Sequence, residues 1–348
     1  MKVSFEDIVH SIVRLDVPIK PNGDILESEG VLNPASAIDR QGNLLLYPRV
    51  VAPGNESRVG IMRAVEKAGK LEIQRLGYAL VPQEECELGG ALGQGCEDPR
   101  AVYIDDIDRY VMTYTAYGAQ GPRIAVAISN DGYDWKRLGL VQFPTDQGDN
   151  KDASFFPEPV RSPNGVLSLA MEHRPMTVAP EDELNSIDSV LSQPAEQRPG
   201  IYMAYVALEA VKKDLSNITK FSESLQVMSP GGDWGLVKIG GGTPPVRIKE
   251  GWLSIFHGVD AVPTATGTDT MRYSAGILIR DAEFPHRIVY RSLKPLFVPE
   301  TREELKGTVN NVVFPTSLVS RGDIGPRVFD IYYGMADYCI GRIRLTLT

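Results

Sequence analysis

Apolar residues along this chain fall in short runs, and almost none of the runs carries the 3.6-residue period of an amphipathic helix. Segments such as "NLLLYPRV", "RYVMTYTAYG", "VLSLAMEHRP", "GWLSIFHGVD" and "VFDIYYGMAD" are rich in β-branched and aromatic residues and are bounded by Gly, Asn, Asp and Pro, which marks strands separated by turns. Turn signals stand at "RQGN" (40–43), "SNDG" (129–132), "SPNG" (162–165), "IKEG" (248–251) and "SRGD" (320–323); the last reads as a hairpin turn and not as an adhesion motif. Two stretches depart from the pattern. "FEDIVHSIVRL" reads as a short N-terminal helix, and "TREELKG" (301–307) as another. The pattern otherwise predicts an all-β chain.

One unit recurs five times: a polar or aromatic residue, a proline, a strand, a turn, and a second strand ending in polar groups. Its openings are "LNPAS" at Pro34, "CEDPR" at Pro99, "FFPEP" at Pro157, "GTPPV" at Pro244 and "VFPTS" at Pro315. A period of about 70 residues, with several strands per repeat and no helical partner, predicts a five-bladed β-propeller, its four-stranded blades set around a channel. The expected organisation is one domain over residues 1–348, with residues 1–30 as an extension packed on the propeller. A helix in that extension would give a homo-oligomer its interface.

In such a fold the first strands converge on the axis, so polar residues at one phase of each repeat meet in a pocket. Those residues are Asn33, Asp98, Arg100, Lys151, His173, Arg174, His257, Tyr333 and Asp337, with Arg49, Arg63 and Arg123 on neighbouring strands. Carboxylates and amides in a concave site suit sugar hydroxyls, and a placed carboxylic acid can protonate a glycosidic oxygen. Asp98 is the strongest candidate for that acid, because a carboxylate before proline at the channel end has no structural duty. Glu97 has no assignable role.

Charge sharpens this picture. The net charge of −9 argues against general affinity for nucleic acid or anionic membrane, so clustered Arg and Lys imply a local site for a small anion such as phosphate. No apolar stretch approaches the ~20 residues of a membrane span, and Glu6, Asp7 and His10 interrupt any export signal; a cytoplasmic protein is expected. Cys86, Cys96 and Cys339 have neither disulfide nor zinc spacing, so reduced thiols, no metal and no cofactor are expected.

The segments "LNPASAIDRQGNLLLYPRV", "GCEDPRAVYIDDIDRYVMTYTAYG", "RIAVAISNDGYDW", "NKDASFFPEPV", "MEHRP", "KIGGGTPPVRIKEGWLSIFHGVD", "VVFPTSLV" and "DIYYGMAD" occur in this order over residues 32–337. In combination they resemble glycoside hydrolase family 130, chiefly mannoside phosphorylases on a five-bladed propeller. The resemblance implies inverting phosphorolysis of a β-mannoside by inorganic phosphate to α-mannose 1-phosphate. Asp98 would be the general acid, passing its proton through the mannosyl 3-hydroxyl. Asn33, Arg100, His173 and Asp337 would hold the mannosyl unit; Arg63, Arg123, Lys151, His257 and Tyr333 would bind phosphate.

Two alternatives stay open. Val246-Arg247 departs from the phosphorylase pattern, and Glu158 or Glu172 could activate water in a β-1,2-mannosidase; a non-catalytic carbohydrate-binding propeller is the other. The acceptor sugar depends on loops such as 178–200, which reads as a pocket-rim insertion.

Overall fold

The apolar runs pair as antiparallel meanders. The computed structural model describes residues 8–145, 148–176, 187–263 and 269–348. The first unit consists of strands Gly30–Ile38, Leu44–Ala52, Glu56–Lys67 and Lys70–Leu80. The second consists of Gln94–Ile104, Arg109–Gly118, Gly121–Ser129 and Trp135–Leu140. A parallel bridge of Glu56 with Gln94 and Ser57 with Gly95 joins the two into one eight-stranded sheet. In the third unit the order is Asn150–Phe155, Leu167–Pro175, Ile201–Ala207 and Glu223–Met228, with Val160–Arg161 as a side hairpin. In the fourth it is Lys238–Gly240, Gly251–Pro263, Asp269–Arg280 and Ile288–Arg291, with Val246–Ile248 as the side strand.

The fifth unit corrects the reading of the N-terminus. Strands Val313–Ser320, Val328–Met335 and Cys339–Leu347 are completed by Val9–Ile19, which pairs antiparallel with the C-terminal strand. The segment expected to be a helix is therefore a strand from Val9 onward, and residues 5–7 of it lie outside the described residues. Val9, Ile12, Val13, Val17 and Ile19 favour extended backbone, and the C-terminal strand offers an open edge whose N–H and C=O groups need partners. The helical interface for a second copy disappears with the helix. "TREELKG" does contain a helix, Arg302–Leu305, with a Thr301/Glu304 capping box. Of the rim segment 178–200, residues 178–186 lie outside the described residues, and Ile187–Ser192 forms a short helix. Among the described residues no helix is long and apolar enough to cross a membrane.

Apolar clusters lie between successive units and also between the fifth and the first, where Tyr332 and Ile340 meet Val31 and Leu46. The first strands of the first, second, third and fifth units lie against one another inside this packing. Each of them carries one extra residue against its partner strand. Leu32 and Ala35 oppose Arg49 and Tyr47, Glu97 and Arg100 oppose Thr115 and Thr113, and Lys151 and Ser154 oppose Arg174 and Glu172. Gly240 opposes His257 while the Thr243 N–H donates to Ile255, and Pro315 and Ser317 oppose the adjacent Tyr333 and Tyr332. These are β-bulges, which bend a strand and re-aim a side chain.

The bulge, and not proline, is thus the landmark of the repeat. Pro34 and Pro99 occupy the bulge, where a missing N–H breaks no ladder bond, but Ala153 and Gly242 occupy the equivalent place in the third and fourth units. Pro157 follows its strand. The carbonyls exposed at the bulges stitch the units together: Pro34 accepts from Thr316 Oγ1 at 2.8 Å, Ala153 from Thr113 Oγ1 at 2.5 Å and Gly242 from Arg100 Nε at 2.6 Å.

Candidate active site

Three bulges put polar side chains at the centre in left-handed backbone: Asn33 (φ 45°), Asp98 (φ 43°) and Asp152 (φ 59°). Asn and Asp tolerate this region better than other non-glycine residues. All three line an inner cavity of about 250 Å³ with Arg49, Lys151 and Asp337. Arg174 and Lys238 complete its basic wall, and Tyr273 and Phe314 add aromatic faces. An outer chamber of about 390 Å³ shares Arg49, Glu97, Lys151 and Asp337 and extends past Asn55, Leu92 and Thr308.

Asp98 receives the Asn33 amide at 2.8 Å and Arg49 Nη1 at 3.4 Å. Arg49 is itself fixed: Nη2 donates to Glu97 at 2.9 Å and Asn55 at 3.0 Å, and Nε to Ser57 at 2.8 Å. Glu97, without a role in the sequence, is the charged partner that, with Asn55 and Ser57, holds this guanidinium against the acid. Lys151 lies over the Tyr117 ring at 5.5 Å and Lys238 over Tyr273 at 5.4 Å. The cavity therefore brings a carboxylic acid and hydroxyl-binding groups together with several cations.

Asp337 is in left-handed backbone (φ 50°) just beyond the second strand of the fifth unit. Burial, and then the negative charge of Asp98, push its carboxyl up from 3.8 to about 6, with Arg49 opposing. A raised folded-state pKa means that folding takes up a proton. The stability gained from Asp337 is full below about pH 3.8 and is lost as pH rises through about 6. Asp337→Asn is expected to flatten the decline in melting temperature between those values; an unchanged profile would show that Asp337 is not the titrating group.

The Glyco_hydro_130 family model, described as beta-1,4-mannooligosaccharide phosphorylase, matches residues 27–347. The chain belongs to glycoside hydrolase family 130. It is 31% identical over 324 residues to a 1,2-beta-oligomannan phosphorylase of Thermoanaerobacter sp., covering 90% of this chain and 89% of that protein. It is 36% identical over 253 residues to a Beta-1,4-mannooligosaccharide phosphorylase of Ruminococcus albus, covering 72% and 62%. The solved Beta-1,2-Mannobiose phosphorylase from Listeria innocua, in its β-1,2-mannobiose complex, superposes with a TM-score of 0.68 at 20% identity over 96% of both chains, a likeness of fold. Membership makes this chain an enzyme of the glycoside phosphorylase class.

Within this family-130 fold, the cavity gathers Asn33, Arg49, Asp98, Lys151, Arg174 and Asp337 of the residues singled out in the sequence. Arg100 stands behind it. Its buried guanidinium donates to the carbonyls of Gly242, Asp98 (2.7 Å) and Gly241 (3.4 Å) and lies over Phe314, so it braces the acid's backbone and leaves sugar hydroxyls to others. His173 points away, because strand parity sends it to the face opposite Glu172 and Arg174. Its ring pairs with Asn150 and Ser224 and stacks on Phe143, and burial lowers its pKa to about 3.

The expected phosphate ligands divide in the same way. Tyr333 is turned into the core, donating to Glu304 at 2.7 Å. Arg63 meets the Tyr133 hydroxyl at 3.1 Å on the third strand of its unit, away from the centre. Arg123 pairs with Asp149 at 2.6 Å beside a separate cavity. His257 is wholly buried behind Asp152, its Nε2 3.5 Å from Oδ2, and burial lowers its pKa to about 3, leaving it neutral. Asp152 and Lys238 are the cavity residues that the sequence does not single out, Glu97 is one to which it gives no role, and Arg49 and Arg174 are pocket candidates to which it gives no particular ligand. Numbering from the bulge instead of from proline would have aligned Asp152 with Asn33 and Asp98.

Proposed function

We propose that this family-130 enzyme cleaves a β-mannoside by inverting phosphorolysis, releasing α-mannose 1-phosphate, and that its five units close as a five-bladed propeller around the cavity. The face-to-face packing of the fifth unit on the first supports the closure. In the reaction a phosphate oxygen forms a bond to the anomeric carbon, the glycosidic C–O bond breaks on the opposite face, and the departing oxygen takes the proton supplied by Asp98. Phosphate is already an anion and needs no strong base, so one acid and a basic wall suffice.

The observation that carries this reading is the pairing of Asp98 with Arg49 and Lys151 in one cavity. Asn33 holds the acid and Asp337 binds a mannosyl hydroxyl; Arg49, Lys151, Arg174 and Lys238 attract phosphate. The outer chamber receives the departing sugar. The two glutamates proposed from sequence as a base for water lie elsewhere: Glu158 lines a distant groove with Trp252, and Glu172 is buried against Arg280. Unpaired Cys86, Cys96 and Cys339 fit a cytoplasmic setting.

The test is incubation with β-1,2- and β-1,4-mannobiose, with and without phosphate. Mannose 1-phosphate formed only with phosphate is the expected outcome. Free mannose without phosphate would make the enzyme a hydrolase, and no turnover of either disaccharide would remove both as substrates.

A further inference from the structure

The bulge that carries Asp98 recurs one unit later and there carries a second aspartate. In each strand one pair precedes the bulge and one follows it, Glu97 and Arg100 around Asp98, Lys151 and Ser154 around Asp152. Both aspartates have left-handed φ and both line the inner cavity. Such backbone persists where the surroundings over-determine it, a pattern found at functional sites.

Their surroundings differ in kind. Asp98 meets an amide and one long arginine contact. Asp152 meets Arg174 Nε at 2.5 Å, His257 Nε2 at 3.5 Å and Arg100 Nη2 at 4.0 Å. Burial works against its charge, but the Arg174 and Arg100 guanidinium groups more than offset that and hold the carboxyl well below the usual range. The chain also leaves room for it: a Cβ on Gly240 would stand 2.2 Å from Asp152 Oδ2. Two carboxylates in one site, given different partners, take different chemical roles.

We infer that Asp152 is the fixed anion of the sugar site, a carboxylate kept ionised beside Asp98 to accept hydrogen bonds from mannosyl hydroxyls while Asp98 handles the proton. The inference rests on the mannoside reading above. An ionised carboxylate is acceptor-only and matches the donor side of a sugar hydroxyl; the Arg174 contact fixes its plane. Gly240 is then a specificity-shaping position, since a Cβ there would overlap the carboxylate and the His257 ring behind it.

The test uses the full chain and calorimetric titration with mannose and with 2-, 3-, 4- and 6-deoxymannose, without phosphate. At least one deoxy sugar should bind wild type about 10-fold or more weakly than mannose, the effect of losing a hydrogen bond to a charged group. In Asp152→Asn that same sugar should bind within about 3-fold of mannose, because the two losses concern one contact. Removing a buried charge beside Arg174 and Arg100 risks unfolding, so Gly240→Ala, whose Cβ would stand 2.2 Å from Asp152 Oδ2 and 2.4 Å from His257 Cε1 and so shifts the carboxylate together with the neutral ring behind it while keeping the charge, should give the same selective loss. Identical mannose-to-deoxymannose ratios in wild type and either folded variant overturn the inference, as does a wild type that binds none of these sugars or all of them equally. Binding is read without turnover, so a failure of phosphorolysis in the mannobiose assay leaves this readout intact.

Discussion

Asp98→Asn should lower the rate of mannobiose phosphorolysis by about 10²–10⁴-fold, the usual contribution of general acid catalysis, while mannose binding changes little. The substitution keeps the shape of the side chain. Its carboxamide oxygen can still accept from the Asn33 amide, which now lies 2.8 Å from Asp98 Oδ1, and the Arg100 brace acts on the Asp98 carbonyl, which the substitution does not touch. What disappears is the proton for the departing oxygen. An aryl β-mannoside whose leaving group departs as a stable anion has no need of that proton, so the variant should lose far less on this substrate than on mannobiose. Equal losses on both would show that Asp98 contributes position or charge and does not act as the acid.

The difference between Asp98 and Asp152 shows where the sequence could be read and where it could not. Asp98 stands before a proline, an unusual composition for a strand entry, and that anomaly singled it out. Asp152 sits at the same bulge but before alanine, so nothing local marks it, and its meaning depends on pairing with a strand some twenty residues later. In "MEHRP" the sequence shows both His173 and Arg174, yet only register decides which faces the centre, and a one-residue difference reverses the answer. Arg63 and Arg123 are suggested by their charge and by the family resemblance; their third-strand positions keep them from the cavity. The N-terminal strand was illegible for another reason: its partner is the last strand of the chain, and a short apolar run without its partner fits helix and strand alike. The all-β character is legible all the same, because it rests on turn residues and β-branched runs, which are local.

Gly334→Ala should cost about 10- to 100-fold in kcat/KM with little loss of stability. The Cβ would stand 1.9 Å from Asn33 Oδ1 and 3.1 Å from its Cγ, so the two cannot coexist as they are. The obstacle is the end of a side chain, and the cheapest relief is for Asn33 to swing away. That swing breaks the 2.8 Å hydrogen bond to Asp98, a contact between an amide and a charged group of the size that gives this loss. Gly242→Ala makes the contrast, because its Cβ would meet backbone, at 2.0 Å from the Ile255 carbonyl oxygen and 2.9 Å from that of Pro315. There the first strand of the fourth unit must move, and the expected damage is to stability, on the order of 3 kcal/mol. At Gly322 the added Cβ meets nothing within 4 Å, and Gly322→Ala serves as the control for both measurements. Steady-state kinetics beside thermal melts separate the cases: Gly334→Ala should melt within about 3 °C of wild type and turn over slowly. A Gly334→Ala enzyme with wild-type kcat/KM would mean that the Asn33 contact does not position the acid, and the role given to Asn33 would fall.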